Sequence, residues 1–181
     1  MPKKAGADFK KLIVPSLILI VVALIDQLTK MWAVAKLIEG ETYRALGDFF
    51  QLKLIYNEGG AMGTTFGGPA FYLISAAAIL IMVIYFIYVN RSRGFIANSM
   101  ALIAGGAVGN IIDRVQSGRV VDFLDFDFFD FNMFGRTIER WWTFNIADAA
   151  ITVGIIILMF YILFYSKYSK PAESAPAEDS G

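Results

Sequence analysis

Four long apolar stretches constrain this 181-residue chain more than any other feature of its sequence. A helix needs roughly 20 consecutive, mostly apolar residues to cross the hydrocarbon core of a bilayer. Stretches of about that length lie at 12–35, 70–89, 95–115 and 146–165, and the third is the least apolar because it is rich in small residues. Backbone groups left unpaired in hydrocarbon are costly, so each stretch is expected to be helical. The sequence therefore predicts a membrane protein, mainly α, with four transmembrane helices.

The distribution of Lys and Arg predicts how these helices are oriented. Basic residues lie before the first stretch, in the short connection after the second and beyond the fourth: Lys3, Lys4, Lys10, Lys11, Arg91, Arg93, Lys167 and Lys170. Cytoplasmic segments carry such an excess, so we expect both termini to be cytoplasmic and the connections 36–69 and 116–144 to face outward. Residues 1–165 are expected to form a single integral-membrane domain. The tail at 166–181 is rich in Pro, Ala, Ser and Glu and is expected to be disordered.

A cleaved signal peptide is an alternative for the first stretch, because the sequence AVA at 33–35 resembles a small-residue cleavage site. The apolar region ahead of it is long, and it is followed by Asp26, Gln27 and Lys30. Polar residues inside a span usually serve the mature protein. This favours a helix that is retained.

The residue types that the chain lacks exclude several kinds of chemistry. It contains no Cys and no His, which excludes disulfides, thiol nucleophiles, imidazole bases and the usual zinc sites. Its 16 basic residues balance its 16 acidic residues, so there is no case for a nucleic-acid partner, which would call for a basic patch. Any catalysis must rest on Asp, Glu, Lys, Ser, Thr or Tyr.

Two polar clusters lie within the apolar stretches. Asp26 and Lys30 are four residues apart and share a helix face, where their charges can neutralise each other. Asn110, Asp113 and Arg114 have the i, i+3, i+4 spacing of a second polar face, close to glycines that permit close helix contact. Spacing alone is equally compatible with structural contacts between helices and with direct participation in catalysis.

Asn145 and Asp148 lie where the fourth stretch begins. An Asn followed three residues later by an acid is typical of a helix N-cap with a favourable charge in the first turn. Asp148 then either stabilises the start of the helix or has a catalytic role, and the pattern by itself slightly favours the first.

The segment GRVVDFLDFDFFDF at 118–131 places four aspartates among five phenylalanines. Asp125, Asp127 and Asp130 are interleaved with aromatic residues, which predicts the solvated side of a loop at the membrane interface. Their D-x-D spacing also occurs in calcium loops, but the Gly and the terminal Glu of such a loop are missing. A metal site is therefore not expected.

Asp122 differs from these three because it follows the outer end of the third stretch, while Asp148 lies at the outer start of the fourth. The intervening loop begins and ends at the same membrane face, so the two carboxylates can lie side by side. Adjacent carboxylates share one proton, and such a pair can take a proton from water while donating one to a carbonyl oxygen. The composition permits this arrangement, which is that of aspartic proteases.

Two other interpretations remain open at this point. One is a small four-helix transporter or channel component that uses Asp26, Asp113 and Asp148 as a path for protons or cations. The other is a scaffold whose acids only hold helices together. A conduction path needs polar groups through the depth of the membrane, whereas these acids cluster toward the outer side.

The first outer connection contains a predicted strand. In FFQLKLIYN at 49–57, polar and apolar residues alternate as in a short, half-buried strand. The following NEGGAMG is a glycine-rich turn, in which backbone can approach a ligand closely.

Four motifs, taken in order, resemble the lipoprotein signal peptidase family, the type II signal peptidases of bacteria. They are DQLTK at 26–30, YNEGGAMG at 56–63, GGAVGNIIDRVQSGRVVDF at 105–123 and FNIADAAI at 144–151. The resemblance implies an aspartic endopeptidase of the bacterial inner membrane. Such enzymes remove signal peptides from prolipoproteins whose cysteine carries diacylglycerol, cutting immediately before that cysteine near the outer surface. It also implies a small periplasmic β-cradle and a short periplasmic helix.

The resemblance also implies roles for the polar positions. Asp122 and Asp148 match the family's catalytic pair. Positions that would support this pair or bind the substrate are Asn57, Gly59, Asn110, Asp113, Arg114 and Asn145, with Asn57 and Arg114 the expected substrate contacts. Asp26 and Lys30 are expected to be structural. The expected partners are the diacylglyceryl prolipoprotein and membrane lipid, with no cofactor or metal and with the protein acting as a monomer.

The sequence departs from the family pattern in two places. Gly60 and Met62 stand where the family often has Ala and Phe, and the segment at 124–143 is long, acidic and aromatic. These departures leave the conformation of the outer loops and the preferred lipoproteins open.

Overall fold

The computed structural model describes residues 9–60, 67–127, 131–133, 136–138 and 142–165. Its long helices are α1 (Ile13–Lys36), α2 (Gly68–Val89), α3 (Gly94–Ser117) and α4 (Ile146–Phe160). A 3₁₀ turn at Lys10–Leu12 precedes α1, and a π-helical turn at Tyr161–Tyr165 follows α4. All four helices, α4 together with the π-helical turn that follows it to Phe164, are long and apolar enough to cross a membrane, which confirms the four-span prediction. The predicted tail at 166–181, Met62 and Asp130 lie outside the described residues.

Helix α3 lies at the centre of the bundle and packs against each of the other three helices. Its small residues allow this close approach. A Cβ atom on Gly105 would lie 2.8 Å from Leu19 O of α1, and a Cβ atom on Gly106 would overlap Ala147 O of α4. The glycines of α3 therefore set the distances between helices.

The outward faces of α1, α2 and α4 carry large exposed apolar side chains, such as Leu28, Ile81 and Ile156. Exposed apolar surface of this extent suits lipid rather than water. Helix α2 contains no Asp, Glu, Lys or Arg at all. The four helices thus present a lipid-compatible surface around a core that is more polar at one end.

A small antiparallel sheet lies at that polar end of the bundle. It consists of β1 (Tyr43–Leu46), β2 (Phe50–Asn57) and β3 (Val120–Phe126) in the order β1-β2-β3. A second, two-stranded sheet pairs β4 (Phe131–Met133) with β5 (Arg136–Ile138). Strand β2 confirms the prediction at 49–57. In the described residues of the connections between α1 and α2 and between α3 and α4 there are strands and turns but no helix, so the expected short helix is not found in that part of the chain.

The three-stranded sheet packs on the end of α1 through a small apolar cluster. Ala33 and Leu37 from the end of α1 contact Leu54 of β2 and Phe123 of β3, and all four side chains are buried. Because β3 directly follows α3 after Gly118, whose φ of 75° ends the helix, this cluster fixes where β3 lies relative to both helices.

The prediction that Asp125 lies on the solvated side of a loop is wrong. Strand β3 continues through Phe126, and Asp125 is opposite Gln51 of β2. Only 4% of Asp125 is exposed. The residue is buried because the strand pairing extends past Asp122, and an alternation of acids and aromatics does not reveal how far a strand stays paired. Asp127, at the end of this run, is half-buried.

Candidate active site

Asp122 lies in β3 with 3% of its surface exposed. Both of its carboxylate oxygens accept hydrogen bonds from side-chain amides. Asn145 Nδ2 donates to Oδ1 at 2.7 Å, and Asn57 Nδ2 donates to Oδ2 at 3.2 Å. Strand pairing places Asn57 here, because it lies opposite Val120 at the end of β2.

Asp148 lies in the first turn of α4, where Asn145 forms the N-cap. Asn145 Oδ1 accepts from Asp148 N at 2.9 Å, and Asp148 Oδ2 accepts from Asn145 N at 3.4 Å. This reciprocal pattern is a capping box. The N-cap interpretation of these two residues is therefore correct as far as it goes, but Asp148 Oδ1 also accepts from Asn110 Nδ2 at 2.8 Å.

The backbone next to the cap joins α4 to β3. Phe144 N donates to Leu124 O at 2.9 Å, and Leu124 N donates to Phe144 O at 2.8 Å. This bridge brings the start of α4 alongside the strand that contains Asp122. The bridge explains why two aspartates that are 26 positions apart in sequence meet at one site.

Asn145 and Asn110 connect the two aspartates. Asn145 is fully buried, and its Nδ2 donates both to Asp122 Oδ1 and, at 3.1 Å, to Asn110 Oδ1. Asn110 in turn donates to Asp148. Two amide side chains thus form a continuous hydrogen-bonded path from one carboxylate to the other.

The surroundings of Asp122 favour its protonated form. Burial raises the pKa of Asp122 from 3.8 to about 7, and the negative charge of Asp148 contributes to the rise. The amides of Asn57 and Asn145 and the charge of Lys30 act in the opposite direction. Asp148 is only half-buried, so Asp122 is the less solvated of the two carboxyl groups.

A buried charge cluster lies directly behind this pair. Lys30 Nζ lies 2.8 Å from Asp26 Oδ2 and 2.9 Å from Asp113 Oδ2, and it donates to Asn110 Oδ1 at 2.9 Å. The predicted pairing of Asp26 with Lys30 is therefore present. Gln27 also takes part, since its Nε2 donates to Asp113 Oδ1 at 2.8 Å.

Arg114 and Gly59 lie on the other side of the pair. Arg114 donates to Gly59 O at 3.0 Å, and Gly59 N donates to Asn57 Oδ1 at 2.9 Å. The turn after β2 is therefore held against α3 next to Asp122. The residues to which the sequence assigns a role in the site lie together. Three of them bond one of the two aspartates: Asn57, Asn110 and Asn145. The others bond a residue that contacts or directly precedes an aspartate: Gly59, Asp113, Arg114, Asp26 and Lys30.

A cavity of about 490 Å³ opens beside the two aspartates. Asn57, Asn110, Arg114, Asp122 and Asp148 line its polar end. Its other walls are mainly apolar and include side chains from three helices: Ala76 and Ile79 of α2, Ile103 and Ala107 of α3, and Ile151 of α4. The site thus combines a polar head with an apolar groove between α2, α3 and α4.

Sequence reasoning missed the contribution of α2. Tyr72 and Ser75 line the cavity, but they lie in a stretch that otherwise reads only as a membrane span. Their spacing of three residues places them on one face, and no other signal distinguishes them. In the sequence Gln27 stands out only as a neighbour of Asp26, because its partner Asp113 is far away along the chain.

Four membrane-spanning helices with two linked carboxyl groups at the head of an apolar groove define a multi-pass membrane protein with a buried acidic site. Within the described part of the chain, no group of three or more carboxylates is arranged to hold a metal ion.

Comparison with known proteins identifies the family. The family model described as signal peptidase (SPase) II matches residues 18–164. This chain belongs to the signal peptidase II family, and it is accordingly a peptidase of lipoprotein processing. The match begins within α1 and covers the other three helices and the three-stranded sheet.

Relatives and solved structures agree with this assignment. The lipoprotein signal peptidase of Pelodictyon phaeoclathratiforme is 40% identical over 161 residues, which cover 88% of this chain and 92% of that protein. That of Burkholderia mallei is 40% identical over 145 residues, covering 78% and 82%. A solved structure, described as a bacterial membrane enzyme studied by the in meso method at 2.3 Å resolution, superposes with a TM-score of 0.73. It is 30% identical and covers 94% of this chain and 95% of its own.

Proposed function

We propose that this protein is an aspartic endopeptidase that removes the signal peptide from diacylglyceryl-modified bacterial prolipoproteins, cutting immediately before the lipidated cysteine. The observation that carries the proposal is that Asp122 and Asp148 line one cavity and are both bonded to Asn145. Membership of the signal peptidase II family supports the substrate class. No cofactor is needed for this chemistry.

The mechanism that we propose is general acid–base hydrolysis by water held between the two carboxyl groups. Asp148, which is the more solvated, takes a proton from water as the water oxygen attacks the scissile carbonyl carbon. Burial raises the pKa of Asp122 to about 7, so a large share of Asp122 carries a proton near neutral pH, and this form gives its proton to the carbonyl oxygen. When the resulting diol collapses, Asp148 protonates the leaving nitrogen and Asp122 recovers its proton from the diol.

Asn57 and Arg114 are the side chains that we assign to the peptide substrate. Both line the polar end of the cavity. The guanidinium has five N–H donors, more than its bonds to Gly59 O and Asn110 O use. It can therefore donate to backbone carbonyls of an extended peptide that passes the two aspartates.

The apolar groove is where we place the lipid part of the substrate. The groove runs along α3 from Asn110 to Ile103, which is roughly 10 Å at 1.5 Å per residue. Burial of acyl chain there contributes about 0.8 kcal/mol per CH₂ group. The lipid thereby becomes an element of specificity, and the signal helix enters from the bilayer between α2 and α4.

We place the enzyme in the inner membrane as a monomer, with both termini in the cytoplasm and the site near the periplasmic face. The distribution of Lys and Arg supports this orientation. A transporter or channel role has less support, because α2 contains no Asp, Glu, Lys or Arg, whereas Asp26, Asp113 and Asp148 share one polar network near one end of the bundle.

The proposal is tested by the identity of the product. Purified protein is incubated with a prolipoprotein peptide, either diacylglyceryl-modified or unmodified at cysteine, in water enriched in ¹⁸O. We expect cleavage of the lipidated peptide only, with the new N-terminus at the lipidated cysteine and one ¹⁸O atom in the carboxyl group of the released signal peptide. Cleavage at another bond, or equal cleavage of both peptides, would contradict the proposal.

A further inference from the structure

A single buried ammonium group connects the elements that hold the two aspartates. Lys30 is 3% exposed, and its Nζ contacts Asp26, Asp113 and Asn110 at 2.8 to 2.9 Å. An ammonium group has three N–H donors, so these three acceptors use all of them. Among the charged groups, Asp26 faces Lys30 from its own helix and Asp113 faces it from α3, while Asp122 of β3 and Asp148 of α4 lie beyond Asn110.

The two carboxylate acceptors of Lys30 each make another bond to the backbone next to the site. Asp26 Oδ1 accepts from Ala147 N at 2.9 Å, and Asp113 Oδ2 accepts from Val121 N at 3.1 Å. Ala147 and Val121 are the residues immediately before the two aspartates of the site. A single carboxylate therefore separates Lys30 from the backbone N–H of the residue before each aspartate.

The third acceptor, Asn110, has an orientation that Lys30 and Asn145 fix together, and Lys30 makes the shorter of the two bonds. Its Oδ1 accepts from Lys30 Nζ and from Asn145 Nδ2. Its Nδ2 must consequently point the other way, and it donates to Asp148 Oδ1 at 2.8 Å. A donor at this position stabilises the ionised form of a carboxyl group, whereas an acceptor would stabilise the protonated form.

We propose that Lys30 is a positioning residue that fixes the donor–acceptor direction of Asn110 and thereby keeps Asp148 as the ionised base of the pair. This goes beyond the structural role expected for Lys30, and it rests on the proposed function. With Lys30 removed, only Asn145 Nδ2 still donates to the oxygen of Asn110, and Asn145 Nδ2 has two other acceptors in Asp122 Oδ1 and Val121 O. The amide of Asn110 can then rotate and present its oxygen to Asp148. The mechanism needs the proton on Asp122 and the negative charge on Asp148, and this arrangement is then no longer enforced.

An ion pair with Asp26 alone does not account for this geometry. A pair at i, i+4 on one helix is complete with two groups, and buried ion pairs often contribute little net stability. Here the ammonium lies between two carboxylates and a neutral amide, and the amide leads directly to Asp148. The charge of Lys30 also lowers the pKa of Asp122, against the effect of burial.

The test compares Lys30→Met with the double variant Lys30→Met/Asp113→Asn, which removes one positive and one negative charge together. Lys36→Met is the matched control, because Lys36 is an exposed cation at the end of the same helix. Full-length proteins cleave a diacylglyceryl prolipoprotein peptide across a range of pH. Folded protein is quantified by its thermal unfolding transition.

We expect both Lys30 variants to fold and to lose about 100-fold in kcat, as a small misplacement of catalytic groups does, with KM within about threefold of the parent value. Their pH–activity profile should move to higher pH on both sides. On the acid side the ionised form of Asp148 has lost a donor, and on the alkaline side the pKa of Asp122 is no longer lowered by a nearby cation. Lys36→Met should match the parent.

Two results would overturn the role of Lys30. One is a folded Lys30 variant with the kcat and pH profile of the parent. The other is that neither variant yields folded protein, which would place the role of Lys30 in folding alone. Parent protein and Asp122→Asn are measured alongside. If Asp122→Asn cleaves like the parent, the proposed function fails. If the parent is active and Asp122→Asn is not, the proposed function stands, and the Lys30 variants test the role of Lys30 alone.

Discussion

At the scale of single residues, Asp122 and Asp148 have the same chemistry and different surroundings. Asp122 is almost fully buried in a strand, while Asp148 is half-buried in the first turn of a helix. Both are held by amides rather than by basic side chains: Asn145 and Asn57 bond Asp122, and Asn110 bonds Asp148. Neutral partners leave the proton of the pair free to move, which a direct bond to Lys or Arg would oppose.

The raised pKa of Asp122 predicts a pH-dependent cost in stability. Between pH 3.8 and about 7, the folded protein holds a proton that the unfolded chain has released, so Asp122 makes the fold less stable as pH rises through this window. Asp122→Asn cannot ionise. We therefore expect its stability relative to the parent to increase by roughly 2 kcal/mol between about pH 5.5 and about pH 8.5.

Thermal unfolding in detergent, compared at these two pH values, measures this change. Asp48→Asn, at an exposed acid between β1 and β2, is the control and should show no such trend. A relative stability of Asp122→Asn that stays constant or decreases with pH would show that Asp122 is not a buried, protonated acid.

At the scale of helices and strands, α3 is the element on which the others are assembled. Gly106 and Gly109 face α4 and α1 where these helices hold Asp148 and Asp26. The site is therefore sensitive to the packing of α3 as well as to the polar groups themselves.

Gly106→Ala is expected to lower the free energy of unfolding by about 1–3 kcal/mol, as other overpacked substitutions do. The new Cβ atom would overlap Ala147 O and lie 2.8 Å from Ile151 Cγ1, so α4 has to move away. Gly94→Ala is the matched control at the start of α3, because nothing lies within 4 Å of its Cβ position. Equal unfolding temperatures for the two variants would mean that α3 and α4 are not in close contact at Gly106.

Filling the groove should affect binding of the lipidated substrate more than the chemical step. Ala76→Leu adds volume to the α2 wall of the cavity, and we expect KM for the diacylglyceryl peptide to rise about tenfold, the effect of losing roughly 1–2 kcal/mol of acyl-chain burial. Ala78→Leu on the exposed face of the same helix should leave KM unchanged. If Ala76→Leu binds the peptide like the parent, the lipid does not occupy this groove.

The sequence predicts these elements correctly where the pattern lies in residues that are neighbours along the chain. The four spans and β2 follow from apolar length and from alternation between Phe49 and Asn57. The N-cap at Asn145 is equally local. The bond from Asp26 to Ala147 N joins residues 121 positions apart, so no pattern around Asp26 could predict it. Burial of Asp125 depends on its pairing with β2, which is likewise not encoded in the residues next to it.

At the scale of the whole molecule, the buried charged side chains of the described residues collect at one end of the bundle. The sheet, the two aspartates and the cavity head all lie beside the end of α1, the end of α3 and the start of α4. An enzyme that acts on a lipid-anchored peptide needs this combination of a polar site and direct access from the bilayer.

The proposed orientation can be measured with single cysteines, because the chain has none of its own. Glu39→Cys follows α1 in the first outer connection, and Ser92→Cys lies in the short connection between α2 and α3; both positions are exposed. In intact cells, a thiol reagent that does not cross the inner membrane should label Glu39→Cys, whereas Ser92→Cys should be labelled only after lysis. The reverse pattern would place the site on the cytoplasmic side.

In the proposed mechanism, hydrolysis depends on Asp122 and Asp148 acting together. The most direct measurement is the rate at which purified Asp122→Asn and Asp148→Asn cleave a diacylglyceryl prolipoprotein peptide, with Asp48→Asn as the control at an exposed acid. We predict that both site variants fold and bind the peptide but lose roughly 1000-fold or more in kcat, while Asp48→Asn keeps the parent rate. A folded Asp122→Asn or Asp148→Asn protein that cleaves at close to the parent rate would contradict the account.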